Sequence, residues 1–154
     1  MWSAEKQEQK VQYWRSIFDT IPVPTFIVDA DVRIENFNTA AEPFLGPEPA
    51  LALYQPGGEA LHCINAERSG CGQSGPCEDC VIRNSVRRAI SGRATRRELH
   101  TARLREEGEV HAIDLLVTTS VLPYTEPPRA LLLLENLTEI IGLCGRGSRR
   151  RRAS

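Results

Sequence analysis

Between residues 4 and 21 the apolar positions Val11, Trp14, Phe18 and Ile21 recur every three or four residues, with Ile17 on the same side. That period is helical, and such a stripe needs a partner surface. Pro22 and Pro24 stop the helix, because proline lacks an N–H and drives its predecessor toward extended geometry. Two β-branched and aromatic runs follow, residues 25–29 and 32–37, and the Ala30-Asp31 pair between them predicts a hairpin. Asn38 is placed to cap a short helix over 39–45, which Gly46 ends.

From 47 to 76 the periodicity disappears into Pro, Gly and Ser, apart from a turn of helix near 50–53. A segment this long inside a compact domain needs a ligand or a metal to hold it. Periodicity returns at 78–91, where Ile82, Val86 and Ile90 repeat every four residues beside Ala89, Gly92 follows as a stop, and Arg83, Arg87 and Arg88 fall on the wet side. The last third reads as strands over 95–105, 110–122 and 129–136. Ile113, Leu115, Val117 and Val121 alternate along the middle one, and the run from Ala130 to Leu134 suits a strand covered on both faces. Helix, two strands, helices, then a three-stranded meander predict an α+β fold: a five-stranded antiparallel sheet with its helices on one side.

A chain of 154 residues is one domain's worth, and 41% hydrophobic residues suit a soluble core. The 19 basic and 20 acidic residues nearly cancel, yet five arginines, Arg146 and 149–152, follow the last acidic residue, Glu139. The body is therefore acidic, which argues against nucleic acid as its partner. The tail over 141–154 is expected to be disordered, since from Gly145 onward it has almost no apolar content; Arg151-Arg-Ala-Ser154 also has the form of a basophilic kinase substrate. No stretch suits a signal peptide or a membrane span, so the expected location is the cytoplasm.

In a reducing compartment, clustered cysteines point to metal or redox chemistry. Cys63, Cys71, Cys77 and Cys80, spaced C-x7-C-x5-C-x2-C, all fall in or beside the aperiodic segment. Cys77 and Cys80, at the start of the predicted 78–91 helix, can share one side of its first turn, where the helix dipole favours thiolates. Gly70, Gly72 and Gly75 leave the backbone free to approach sulfur. Four thiolates suit zinc or an iron–sulfur cluster equally by ligand type, although a four-cysteine zinc site usually shows two close pairs and this chain has one. A metal-free thiol switch is the third reading. Cys144 reads as a tail thiol, His62 as a loop residue or spare ligand, and His100 and His111 as surface residues. Cys80 is followed by Val81, which excludes the C-x-x-C-H of covalent haem, and no phosphate loop, nucleophile elbow or kinase signature is present, so enzyme activity is not expected.

Several fragments in order resemble the PAS family of sensor domains: Phe18-Asp-Thr-Ile-Pro22 leading into Phe26-Ile-Val-Asp-Ala30, Asn38-Thr-Ala-Ala41 with Leu45-Gly46, and residues 131–134 followed by Glu135-Asn-Leu-Thr-Glu139. The resemblance implies a PAS-like domain over 22–140 with the N-terminal helix, 1–21, in front of it. It implies a signal-transduction role, an output supplied by another chain such as a sensor kinase or regulator, and dimerisation through the N-terminal helix. It leaves any organic ligand of the PAS cavity open. Some PAS sensors carry an iron–sulfur cluster on cysteines, whereas the flavin photosensors of the family use an Asn-Cys-Arg-Phe-type run that is absent here. The combined expectation is a sensor whose four-cysteine segment binds metal, with a dimerisation module carrying structural zinc as the alternative.

Overall fold

The structure is a computed structural model that describes residues 3–138. The tail, Cys144 and the last residues of the expected 22–140 domain lie outside the described residues. Helix α1 (Ala4–Thr20) is capped by the Ser3 hydroxyl, which accepts from Lys6 N at 3.3 Å. Strands β1 (Thr25–Asp29) and β2 (Ile34–Phe37) form the hairpin. Its turn is longer than the sequence suggests. Val32 adopts a φ of 62° and Arg33 still belongs to the turn, because both Asp31 N and Arg33 N donate to the Asp29 carboxylate at 2.9 Å.

A 3-10 turn (Thr39–Phe44) replaces the short helix, with Asn38 as the predicted cap, its Oδ1 accepting from Ala41 N at 3.2 Å. Asn38 is fully buried and does more than cap: it also accepts from Thr25 N and donates to the carbonyls of Ile21 and Val23. One side chain thereby fixes the chain between α1 and β1. Further 3-10 turns (Pro49–Ala52, Ile64–Ala66 and Gly75–Asp79) and the one-turn helix α2 (Gly57–Ala60) make up the aperiodic segment. Helix α3 (Val81–Ile90) then leads to β3 (Thr95–Glu106), β4 (Glu109–Leu122) and β5 (Arg129–Asn136).

The five strands form one antiparallel sheet, as expected, and its order is β2-β1-β5-β4-β3. The alternation along β4 and β5 places Leu115, Val117, Ala130, Leu132 and Leu134 in the core, where Ile82, Val86 and Ala89 of α3 meet them. Thr119 is buried among them and is satisfied by donating to Ser85 O at 3.1 Å. Leu131 and Leu133, on the other face of β5, are only partly covered.

The α1 stripe behaves differently from its pattern. Only Phe18 and Ile21 reach the domain, anchored by Arg15, which donates to Asn36 Oδ1 at 2.6 Å and to Phe37 O; Val11 and Trp14 remain 68% and 58% exposed. No described helix is long and apolar enough to cross a membrane.

Candidate functional site

The aperiodic segment is held chiefly by backbone hydrogen bonds to both edge strands. At one end Tyr54 N donates to Ile34 O at 2.6 Å, Ile34 N to Gln55 O at 3.0 Å, and Gly57 N to Val32 O at 2.7 Å. At the other end Arg105 N donates to His62 O at 2.8 Å and Cys63 bridges Leu104 of β3. The segment is a strap across the inner face of the sheet. Arg105 also pairs with the Glu67 carboxylate, fastening the far side.

Beneath this strap Cys63, Cys71, Cys77 and Cys80 line one cavity of about 230 Å³. Nearer the centre of the core, Phe26, Ile34, Leu132 and Leu134 pack so tightly that only about 10 Å³ is left. Each cysteine arrives there for a local reason. Cys63 N donates to Gly58 O at 2.8 Å, so the chain turns back against β3 directly after α2. Cys71 packs on Gly58, where a Cβ would fall 2.9 Å from its sulfur, and its N–H donates to Glu59 Oε1 at 3.0 Å. Cys77 lies in the last 3-10 turn with its sulfur 3.1 Å from Ser74 Oγ. Cys80 is the residue that opens α3.

The last two placements correct the sequence reading in detail. The helix begins at Val81, so Cys77 and Cys80 do not share its first turn; Pro76 and the 3-10 geometry occupy the residues before it. The electrostatics of the pair also diverge. Burial pushes the Cys80 thiol up, and the N–H groups of Ile82 and Arg83 oppose this without making a capping hydrogen bond. Burial acts on Cys77 too, but it is outweighed by the Ser74 hydroxyl, the N–H groups of Ser74 and Gly72, and the charge of Arg83, so that thiol is held low. The Cys63 thiol is pushed up by burial and then by the other three sulfurs, with a backbone contact from Asn65 in opposition.

All four thiols are free, and among the described residues no three His, Cys, Asp or Glu side chains converge closely enough to hold an ion as they stand. The cysteines surround a space rather than a point. The donor set suits a thiophilic metal centre by ligand type, and all four cysteines line the same cavity.

Two residues assigned to the wet surface belong to this site. Arg83 is half-buried, and its Nη1 donates to Cys71 Sγ at 3.1 Å. His100 lines the cavity from β3. Its inward direction comes from a bulge: Thr95 pairs with Thr119 and Glu98 with Val117, so β3 carries one extra residue and the face of every later residue is reversed. Burial holds His100 below the ordinary imidazole range, with Glu98 in opposition. A sequence signal existed for Arg83, three residues after Cys80 and hence on the same helix face; none existed for the bulge. His62 does not line the cysteine cavity but two other hollows, each edged by Pro47, and His111 is exposed as expected.

A family model described as PAS domain matches residues 12–79, a span that includes three of the four cysteines. Among solved structures, the PAS domain of an HTR-like protein from Haloarcula marismortui is 16% identical with a TM-score of 0.54, over 86% of this chain and 95% of that one. The PAS domain of nitrogen regulation protein NR(II) from Vibrio parahaemolyticus is 15% identical with a TM-score of 0.53, over 79% and 95%. A domain of a sensory box sensor histidine kinase/response regulator from Geobacter sulfurreducens is 18% identical with a TM-score of 0.50, over 86% and 100%. At these identities the likeness is one of fold. No curated protein matches the chain.

Proposed function

We propose, on the premise that this chain carries a PAS domain and is a sensory and signalling module, that its sensing element is a metal centre held by Cys63, Cys71, Cys77 and Cys80. The observation that supports this reading is the convergence of all four thiols on one cavity beneath a strap bonded to both edges of the sheet. At about 230 Å³ the space is below the ~300–1,000 Å³ usual for organic ligands, which favours a compact inorganic group. A single zinc ion would have to draw the four sulfurs to ~2.3 Å from itself. Sulfurs already spread around a cavity favour an iron–sulfur cluster, with zinc as the alternative.

When bound, such a cluster supplies one-electron redox chemistry. The residues of the chain supply the thiolates, N–H groups directed at them, the Arg83 charge and cover from solvent. Gain, loss or oxidation of the centre would change how tightly the strap joins β2 to β3, and the sheet would carry that change to an output on another chain. A sensor kinase is the proposed partner class, by analogy with the Geobacter sulfurreducens neighbour.

The test is anaerobic purification of the chain with metal and sulfide analysis and a visible spectrum, beside Cys63→Ser and Cys80→Ser. Iron with sulfide, lost in both variants, is the expected result. Zinc alone would support the structural role, and a metal-free protein would leave the thiol switch.

A further inference from the structure

We infer that Arg83 is the positioning residue of the thiolate site: it compensates the negative charge of a thiolate-bound centre and ties that centre to the turn between β1 and β2. This rests on the proposed metal-binding role of the four cysteines. The same Nη1 that donates to Cys71 Sγ at 3.1 Å lies 3.5 Å from the carbonyl of Asp31, so one guanidinium nitrogen bridges the site and the hairpin turn. The turn is in turn bonded to the strap through Gly57 N and Val32 O.

Space for the guanidinium is reserved by Gly72. With φ at +84°, its Cα faces the arginine, and a Cβ built there would fall 2.5 Å from Cζ and 2.7 Å from both Nε and Nη2. No larger residue leaves the guanidinium in place. The charged side chains of Arg103 and Asp79, also along the cavity wall, belong to exposed residues, whereas Arg83 is half-buried against sulfur.

Charge arithmetic gives the contact its purpose. Four thiolates around a centre of charge 2+ carry a net charge of −2, and one-electron reduction makes it −3. A fixed cation at hydrogen-bond distance from one ligand favours assembly of the centre and favours its reduced state. Arginine suits this better than lysine, since its rigid planar guanidinium holds Nη1 between sulfur and carbonyl, whereas an ammonium on a flexible stem is not fixed there.

The experiment compares the full chain with Arg83→Gln, Arg83→Lys and Gly72→Ala, each loaded anaerobically with iron and sulfide and separately with zinc. The readouts are the rate of metal loss to a chelator, the midpoint potential against a one-electron reductant, and amide exchange over residues 30–33. Arg83→Gln is expected to weaken retention by ~10- to 100-fold, the usual effect of removing a ligand's outer partner, to shift the potential downward and to speed exchange in the turn. Arg83→Lys should recover most of the retention and potential but not the turn's protection. Gly72→Ala keeps every charge and displaces the guanidinium, so it should follow Arg83→Gln. Wild-type protein that takes up neither iron nor zinc overturns the metal reading and this inference together. Loaded Arg83→Gln that matches wild type in retention and potential overturns this inference alone.

Discussion

The half of the molecule from α3 to β5 and the segment from 47 to 80 are built on different physics. In the first, strands pair in long registers and alternate side chains disappear from solvent: Leu115, Val117 and Leu134 have no exposed surface, and Val86 and Ala89 cover them from α3. Stability there is apolar burial, spread over many residues. The segment from 47 to 80 contains only short 3-10 turns and the one-turn α2, buries little beyond alanines, Leu61 and Gly57, and holds its place through backbone bonds to two edge strands and the Arg105–Glu67 pair. A region held by few, specific, chemically sensitive contacts can respond to a ligand while the sheet stays intact. The proposed sensing role needs that division.

The contrast can be tested by perturbing each side. The largest effect is expected from Leu134→Ala, which opens a hole in the middle of the sheet and should cost ~2–5 kcal/mol in urea unfolding; a loss below about 1 kcal/mol would mean the sheet is not the stable half. Next is Asn38→Ala. It removes the side-chain partner of Thr25 N and of Ile21 O, and one of two partners of Ala41 N and Val23 O, and should cost about 1–3 kcal/mol. Its distinguishing result is faster amide exchange at Thr25 and Ala41, with the thiols unaffected.

The smallest effect is a pH dependence from His100. Burial lowers its folded-state pKa below the ordinary imidazole value of about 6.5, so the unfolded chain binds the proton more readily. The stability of the neutral ring is fully present above 6.5 and is lost as pH falls toward the folded-state value. In metal-free protein the thermal midpoint should therefore fall between pH 7 and pH 5.5, and His100→Gln should flatten that slope. An unchanged slope would place His100 outside the cavity.

Much of the sheet was legible because a two-residue period needs no tertiary information: β4 and β5 could be read from Leu115, Val117, Leu132 and Leu134 alone. Asn38 was legible as a cap because short polar side chains have few other uses before a helical turn. The cysteine set was legible as spacing within a segment that lacked any other reason to be ordered. The start of α3 was not, since Cys77 and Cys80 fit a helical first turn as well as they fit a 3-10 turn ending in a cap. The α1 stripe misled about packing, because periodicity reports a face and not what covers it.

The sequence by itself determined the order of elements, the core face of β4 and β5 and the grouping of four cysteines in one segment, all properties of local pattern. Tertiary structure alone decided that the strap crosses the sheet from β2 to β3, that the guanidinium of Arg83 lies over Gly72 rather than in solvent, and that His100 points inward. The reason is geometric: one extra residue at the start of β3 inverts every side chain after it, and it leaves the composition of the strand unchanged.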